Sequence, residues 1–388
     1  MTVVIFILGI VLFLLLIITH EMGHFLVAKR NGVKAEEFGI FFPPKLWGKK
    51  MKGGWDFTIN ALPLGGFVKL KGEHDSDTEK GTFGAASDWS KAKIMLAGVA
   101  VNLATALVLF TVLALFGMPK LVDNQFTVES DTKISRHEVL VGFVEDKTPA
   151  AKTDLQQNDK LLSFASADKT VTINGQKLSE VTKQFAGQKV TIRYERDGQK
   201  RSTQATLLDE SVVAASRKTD SPKGYLGIAP QEVILRRSTW SAPVVAVGLS
   251  AQFTQLTLKG IGTALAGLGG IIAGGVTGNT EARQNAQTEA GSQVSGPLGI
   301  YFVLKSGSSL GVLFMLFIIA IISLTLAIMN VLPIPALDGG RLYLMLGSRF
   351  TKQKRLTPKM EENIVGASFM LLIGLIVLIT VVDVKRFF

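Results

Sequence analysis

The stretch that decides the fold is residues 3–28, VVIFILGIVLFLLLIITHEMGHFLVA. The part before the first histidine carries no charge, and a helical run of this kind approaches the length that a bilayer requires. On that helix His20 and His24 lie one turn apart on one face, with about 5–6 Å between them. Two imidazoles at this spacing can bind one zinc ion, and Glu21 beside them can act as a general base. The stretch therefore predicts a metal-binding helix inside a membrane, where ionisable side chains are costly and usually functional.

A second motif, near the other end of the chain, offers a candidate third ligand. Residues 330–340, NVLPIPALDGG, follow the apolar run Val312–Ala327, and Asp338 is the only carboxylate near that helix end. A zinc ion in a hydrolase takes three protein ligands and keeps a fourth position for water. Pro333 cannot continue a regular helix, so backbone groups are freed close to the candidate site. Each motif alone has an ordinary alternative, which is a chance match for the first and a helix-ending turn for the second.

Together the two motifs resemble the site-2 protease family of intramembrane zinc metalloproteases, most nearly its RseP-like bacterial branch with a single PDZ domain. In that family one helix carries His-Glu-x-x-His, and a later helix carries Asn-x-x-Pro followed by Leu-Asp-Gly. This chain has both motifs in that order. The resemblance implies one Zn²⁺ per chain and four acting residues: the zinc ligands His20, His24 and Asp338, and Glu21, which activates the water. Two further residues are expected beside the substrate backbone, Asn330 and Pro333.

The composition agrees with a membrane protein. Of the 388 residues 47% are hydrophobic, and the mean hydropathy is +0.33. No cysteine is present, so disulfides and thiolate zinc ligands are excluded. The net charge of +11 could indicate a nucleic acid partner, but the Lys and Arg residues are concentrated beside apolar runs. That pattern favours the lipid bilayer as the partner and argues against nucleic acid.

Four membrane spans are predicted, each near the roughly 20 residues that a bilayer requires. They are Val3–Ala28, Ile94–Phe116, Leu310–Leu332 and Ile364–Val382. The connections between the first and second spans and between the third and fourth are rich in Lys and Arg, so both are expected in the cytoplasm. This orientation puts His24 and Asp338 on the same side, as a shared metal requires. It predicts a multi-pass protein of the inner (cytoplasmic) membrane, with the active site toward the cytoplasm and the middle region extracytoplasmic.

The nearly uncharged segment Thr239–Gly275 could be a fifth span. A fifth span would move Asp338 to the membrane face opposite His24, and the two could not share one zinc ion. We therefore expect a non-spanning amphipathic helix here, followed by a polar loop at Gly278–Gln293. The chain is thus divided into four parts: 1–120 with the first two spans, 121–237 with the middle domain, 238–300 with the non-spanning helix and loop, and 301–388 with the last two spans.

The segment Leu62–Leu70 carries a β pattern between the first two spans. Its alternation and its β-branched residues predict a hairpin with Gly65-Gly66 at the bend. The family has a membrane-associated β element at this place, close to the active site. A substrate must be extended before it is cut, and an exposed strand edge can bind it by β-addition. The residues expected to bind substrate here are Gly65, Gly66, Phe67 and Val68, and a plain surface hairpin is the alternative.

A pair of residues in the second span, Gly98 and Asn102, lies four apart on one helix face. Small residues allow close helix packing, and Asn can form hydrogen bonds between helices in a membrane. The family usually has Ala-Gly-Pro-x-x-Asn here, whereas this chain has Val99 in place of the proline. Asn102 is therefore expected to be structural and near the substrate.

The middle region, about 126–209, has the short apolar strands and polar turns of a soluble domain. Thr148-Pro149-Ala150-Ala151 and the segment Asn158–Leu162 resemble a PDZ domain. The usual Ala-Gly-Leu and Gly-Asp of that domain are here Thr153-Asp154-Leu155 and Asn158-Asp159. A PDZ-like fold is thus expected, and a peptide or protein tail bound to it remains an open partner.

The predicted fold is an α-helical membrane protein: a four-transmembrane-helix metalloprotease core with a membrane-associated β-hairpin and an inserted extracytoplasmic PDZ-like (α+β) domain. The predicted function is zinc-dependent hydrolysis of peptide bonds in the transmembrane segments of single-span membrane proteins, such as pre-trimmed anti-sigma factors or remnant signal peptides. Two alternatives remain, a non-proteolytic membrane scaffold that binds protein tails and a transporter with a coincidental motif. A transporter would more often show internal repeats, and none is visible in the sequence.

Overall fold

The computed structural model describes residues 1–72, 78–173, 177–196, 198–219, 221–277, 296–350 and 357–387. The helices are α1 (Thr2–Arg30), α2 (Asp88–Met95), α3 (Ala97–Phe116), α4 (Leu178–Lys183), α5 (Glu210–Ser216), α6 (Ala242–Thr277), α7 (Pro297–Leu310), α8 (Val312–Val331), α9 (Asp338–Phe350) and α10 (Pro358–Phe387). The strands are β1 (Ala35–Lys50), β2 (Asp56–Leu70), β3 (Met118–Pro119), β4 (Lys133–Val144), β5 (Lys160–Ala165), β6 (Thr170–Thr172), β7 (Lys189–Arg196), β8 (Gln199–Thr206) and β9 (Ile228–Arg237).

The chain forms two compact units, which we call unit 1 (Met1–Val112 with Ala242–Phe388) and unit 2 (Leu113–Ser241). Unit 1 holds the long apolar helices and the sheet of β1 and β2, and unit 2 holds the second sheet. The finer division into four parts stays a prediction. The predicted polar loop at Gly278–Gln293 lies outside the described residues.

Four helices in the described part of the chain are long and apolar enough to cross a membrane: Thr2–Arg30, Ala97–Phe116, Val312–Val331 and Lys359–Val381. They coincide with the four predicted spans, apart from shifts at the ends. The second span was expected to begin at Ile94, but that residue belongs to α2, and Leu96 separates α2 from α3. The signal for this extra helix is Ser87, whose hydroxyl caps it by accepting a hydrogen bond from the Ser90 amide at 3.2 Å.

The segment expected as a non-spanning helix is one continuous helix, α6, of 36 residues. Within the described residues, α6 is not one of the four helices that are apolar enough to cross a membrane. Its Phe253 packs against Phe110 of α3 and Phe317 of α8, with ring centroids 6.2 and 5.9 Å away. These contacts make α6 part of the helical core of unit 1, and its position relative to a bilayer stays a prediction.

Close packing of α1 against α8 sets up the functional site. A Cβ atom added at Gly9 would lie 2.4 Å from Sδ of Met315, so the Met315 side chain packs directly against the backbone of α1 at this glycine. Met315 is fully buried in a cluster that also contains Leu16 of α1 and Ile319 of α8. This contact brings the carboxyl end of α8 toward the histidine-bearing half of α1.

The sheet of unit 1 is built from two long strands that both bend. Residues 45–50 pair with 56–60, residues 56–59 pair on their other side with 37–40, and residues 37–40 pair in turn with 66–69. Each strand thus contributes two paired segments, and the sheet is four segments wide. Residues 66–69 form one edge of the sheet, and we call them the edge strip. The amide of Asn60 holds the bend of β1 by donating to the carbonyls of Ile40 (3.3 Å) and Phe41 (3.0 Å).

The expected position of the hairpin turn is wrong. Gly65 and Gly66 lie within β2, where Gly66 stands opposite Ile40. The turn is formed instead at residues 51–55, where Gly53 and Gly54 have φ angles of +118° and +84°. The sequence holds two Gly-Gly pairs that could each make a turn, and the positive φ angles at the first pair decide between them.

Unit 2 is an α+β domain with a seven-stranded sheet in the order β3-β9-β4-β5-β7-β8, in which β6 pairs with β5. Its core is apolar, and its largest buried side chains are Phe164, Phe185 and Tyr194. Buried Asp159 accepts hydrogen bonds from Arg196 through Nε and Nη2, each at 2.7 Å. The α+β character agrees with the expectation, and the PDZ-like assignment stays a prediction.

Candidate metal centre

The site lies where α1, α3 and the start of α9 meet. His20 and His24 project from α1, and Asp338 is the first residue of α9. Oδ2 of Asp338 is 3.2 Å from Nε2 of each histidine, and the two Nε2 atoms are 3.3 Å apart. The structure thus brings together the three residues that the sequence analysis chose as metal ligands, although they come from opposite ends of the chain.

These distances can be compared with the geometry of a zinc ion. Four ligands about 2.0–2.1 Å from zinc, at tetrahedral angles, lie about 3.3 Å from one another. The three distances of 3.2, 3.2 and 3.3 Å match one face of that tetrahedron. Oδ2 of Asp338 is buried and has no hydrogen-bond partner among the described residues, as expected of an atom reserved for a metal. The donor set of two imidazoles and a carboxylate therefore fits zinc, with a fourth position left for water.

Each imidazole contacts a polar group through Nδ1, the ring nitrogen that faces away from the three converging ligand atoms. Nδ1 of His24 donates to the carbonyl of Ile94 at 2.7 Å, which turns its Nε2 toward the centre. Nδ2 of Asn102 lies 3.1 Å from Nδ1 of His20, and Oδ1 of the same amide is buried without a hydrogen-bond partner among the described residues. A histidine that binds metal through Nε2 carries its proton on Nδ1, so with the Asn102 amide turned by 180° its oxygen would accept from Nδ1 and both groups would be satisfied.

Asn102 lies behind His20, and its expected place near the substrate stays a prediction. Its side chain is 1% exposed and contacts the outer face of His20, on the side opposite the other ligands. Its own carbonyl accepts a hydrogen bond from the Ser323 hydroxyl of α8 at 2.8 Å, which fixes α3 against α8. The expected structural role is compatible with this contact, whereas a contact with substrate is not supported by it.

Gly98 is a functional position whose place the sequence analysis did not recognise. A Cβ atom here would lie 2.4 Å from Cε1 and 2.5 Å from Nε2 of His20, and 2.5 Å from Nε2 of His24. The absence of a side chain therefore leaves the space in which the two imidazoles converge. The signal was present as the spacing of Gly98 and Asn102, but that spacing was interpreted as helix packing.

The LPIPALDGG turn delivers Asp338. After α8 ends, the amide of Leu337 donates to the carbonyl of Ile334 at 2.8 Å, which closes a tight turn. Cβ atoms at Gly339 and Gly340 would lie 2.3 Å from the carbonyl oxygen of Val331 and 1.9 Å from that of Ile334. The two glycines thus let α9 begin directly against the end of α8, which carries Asp338 to the histidines.

Asn330 and Pro333 do not join the three ligands. Asn330 belongs to the last turn of α8, and Pro333 lies in the turn that follows. Neither side chain is hydrogen-bonded to His20, His24 or Asp338 within the part of the chain that the structure describes. Their expected place beside the substrate stays a prediction.

Glu21 faces the sheet of unit 1. It lines a cavity of about 130 Å³ between α1 and the sheet, together with Ile17, Phe38, Gly65 and Gly66. A Cβ atom at Gly66 would lie 3.0 Å from Cγ of Glu21, so the edge strip of the sheet passes directly beside the carboxylate. The cavity is lined mainly by apolar groups, and Glu21 is the one ionisable residue in its lining.

The remaining two expected substrate-binding residues follow along the same edge strip. Phe67 stacks on Phe42 with centroids 6.4 Å apart, and Val68 stands opposite Phe38. Gly65 and Gly66 therefore lie beside Glu21, and Phe67 and Val68 continue the same strand away from it in sequence.

Comparison with known proteins agrees with this site. The model of peptidase family M50 matches residues 8–375, from within α1 to within α10. A protein of Clostridium perfringens is 28% identical over 369 residues, covering 95% of either chain, and one of Clostridium acetobutylicum is 29% identical over 97% of this chain and 96% of its own. A Campylobacter jejuni protein is 28% identical over 96% of this chain and 90% of its own, and the names of all three assign them as zinc metalloproteases. The match over nearly the whole chain confirms the site-2 protease resemblance, and the chain belongs to peptidase family M50.

Proposed function

We propose that this chain hydrolyses peptide bonds within the membrane-spanning segments of single-span membrane proteins, such as pre-trimmed anti-sigma factors or remnant signal peptides. Its activity as a zinc metalloprotease follows from its family and from the names of its relatives. The substrate class is supported by one observation above all: the three candidate zinc ligands converge on α1, an apolar helix long enough to cross a bilayer. A catalytic centre on such a helix is suited to substrates that are themselves in the membrane.

His20, His24 and Asp338 would hold the zinc ion, which supplies Lewis acidity that activates water and polarises a carbonyl. Glu21, the next residue after His20, takes a proton from the attacking water and gives it to the nitrogen of the leaving amine. The apolar lining of its cavity excludes bulk water and so strengthens these charge interactions. The side chain of Asn102 and the carbonyl of Ile94 act as positioning groups, because they fix the two imidazoles.

The edge strip 66–69 is suited to hold the substrate. A helical substrate hides its carbonyls in hydrogen bonds, so it must unwind before attack. The strip pairs only with residues 37–40 among the described residues, so its other side offers backbone groups to an extended chain. Gly66 keeps the strip next to Glu21, which would bring a bound backbone to the catalytic carboxylate. Asn330 and Pro333 are proposed to contact that backbone as well.

The membrane placement belongs to the same proposal. Lys29 and Arg30 at the end of α1 favour the cytoplasmic side for that end of the helix, which puts the metal centre toward the cytoplasm of the inner membrane. Unit 2 is then extracytoplasmic. Its PDZ-like fold is proposed to act as a size filter against untrimmed proteins and to accept a peptide or protein tail.

The test is cleavage of a tagged single-span protein by the purified chain, beside Glu21→Gln, with zinc measured in both. The proposal expects cleavage by the parent only, with about one zinc ion in each protein. Glu180→Gln, an exposed carboxylate of unit 2, is the matched control and should cut at the parental rate. Cleavage by Glu21→Gln would remove Glu21 as the base, and a parent without zinc or cleavage would favour a scaffold that binds protein tails.

A further inference from the structure

A basic and apolar surface lies at the far end of the unit 1 sheet. Every residue from 43 to 54 is exposed, and this stretch contains four lysines and no acidic residue. Leu46, Trp47 and Met51 are 71%, 50% and 37% exposed. We call residues 45–56 the basic hairpin. Its lysines are Lys45, Lys49, Lys50 and Lys52.

The basic hairpin has a defined shape. Residues 47–50 pair in register with 56–59, and an irregularity of the pairing between Lys45 and Trp47 leaves Leu46 without a partner on β2. The ring of Trp47 meets Phe57 edge-on with centroids 6.2 Å apart, which fixes the indole while half of it stays exposed. Leu46 lies at that irregularity, next to Trp47 in the chain, and is exposed as well. Two large apolar side chains are therefore exposed next to lysines on this hairpin.

The packing of Trp55 sets the level of the hairpin along α1. Its ring lies 4.8 Å from that of Phe25, which is itself buried against Phe38. Phe25 is five residues before the end of α1 at Arg30, or about 7.5 Å along the helix axis. The hairpin therefore contacts α1 within about 7.5 Å of the basic end of that helix, and the Lys and Arg residues that flank a span lie among lipid headgroups.

We propose that the basic hairpin binds the anionic headgroups of the adjoining leaflet, with Trp47 and Leu46 at the boundary between headgroups and acyl chains. Tryptophan favours this boundary, and lysine stems cover apolar surface while their ammonium groups reach phosphate. Each lysine near an anionic surface raises the affinity about fivefold. Since β1 runs from the hairpin to residues 37–40, this contact would hold the edge strip beside Glu21 at a fixed depth. The inference rests on the proposed membrane placement and not on peptide hydrolysis.

The absence of cysteine makes a direct test simple. The Leu46→Cys variant of the full chain is labelled at its single thiol with a polarity-sensitive fluorophore. The labelled protein is placed in nanodiscs of phosphatidylcholine alone or of phosphatidylcholine mixed with phosphatidylglycerol. Ser202→Cys, at an exposed position of β8, is the labelled control. We expect a blue shift at position 46 that is larger with the anionic lipid, and that reverses at about 1 M salt, where the Debye length falls to about 3 Å. No lipid-dependent change should occur at position 202.

A variant with all four lysines changed to Gln should lose the difference between the two lipids, with zinc content at the parental level to show that the fold is intact. The measurement is repeated on Glu21→Gln, so a failure of catalysis does not affect it. Equal spectra in both lipids, or a difference that survives the four substitutions, would overturn the proposal. A shift that appears only after adding a substrate with an acidic juxtamembrane segment would overturn it in favour of a protein ligand.

Discussion

Replacing Gly98 by Ala is expected to abolish tight zinc binding. The added Cβ would lie 2.4–2.5 Å from the imidazole atoms of His20 and His24, whereas ordinary contact needs about 3.5 Å. One or both rings must therefore retreat by about 1 Å. Nδ1 of His24 is held by the Ile94 carbonyl at 2.7 Å, so this retreat also breaks the hydrogen bonds behind the rings.

A zinc site tolerates changes of only about 0.2 Å in its ligand distances, so a shift of this size costs affinity through two ligands together. Loss of a single supporting contact lowers metal affinity about 10–100-fold. We therefore expect a loss of at least about 100-fold for Gly98→Ala, which is about 2.8 kcal/mol. Cleavage should fall in proportion to the zinc-loaded fraction.

The assay is competition with a chromogenic zinc chelator in detergent, combined with metal analysis of the purified protein. Gly366→Ala is the matched control, because it also lies in a helix and an added Cβ there meets nothing within 4 Å. The control should bind zinc as the parent does. Parental zinc affinity in Gly98→Ala would show that the imidazoles do not converge over this residue and would refute the geometry of the centre.

Three further predictions follow from other contacts. Asn102→Ala should weaken zinc binding about 10–100-fold, and Asn102→Asp should restore most of it because it keeps an acceptor for Nδ1 of His20; equal losses in both variants would contradict the hydrogen bond. Gly66→Val should lower kcat while zinc content stays constant, because the added Cβ would lie 3.0 Å from Cγ of Glu21 and the valine side chain would displace this carboxylate. An unchanged kcat would show that the position of the edge strip does not affect catalysis. Asp159→Asn should lower the free energy of unfolding of unit 2 by about 3 kcal/mol, because it removes the buried negative charge that pairs with Arg196. Resistance of this unit to protease in increasing urea measures the change. Unaltered resistance would show that the ion pair does not stabilise unit 2.

The clustering of the three candidate ligands could be predicted from sequence because its rule is local and chemical. His20 and His24 are related by the helical period, and the third ligand had to be a carboxylate or imidazole at a matching membrane depth. Asp338 satisfied that requirement as the carboxylate at the end of its helix. The four apolar helices were predictable for a similar reason, since length and hydropathy define a span.

The groups that support the ligands could not be identified in this way. Asn102 lies 82 residues from His20 in sequence, and Ile94 lies 70 residues from His24. The packing of the helices on one another determines which groups meet, and the sequence does not give it. The group at Ile94 is a backbone carbonyl, which every residue type carries, so the residue identity does not reveal its role. A glycine at position 98 indicates that another group packs closely against it. Only the fold shows that this group is the pair of imidazoles of His20 and His24.

Turn chemistry also has limits as a predictor. Gly53-Gly54 and Gly65-Gly66 are equivalent as patterns, and the second pair is glycine for a different reason, the proximity of Glu21 and Phe42. In unit 2, Asn158 takes φ +71° where the PDZ pattern has Gly, which asparagine tolerates better than most residues.

The most direct test of the central claim is the position of the cut. A single-span protein reconstituted with the purified chain in nanodiscs is incubated, and the product termini are read by mass spectrometry, with zinc-loaded Glu21→Gln as the blank. We expect new termini inside the apolar segment of the substrate, present with the parent and absent with Glu21→Gln. Termini only in the segments outside the membrane, or the same termini with Glu21→Gln, would contradict it.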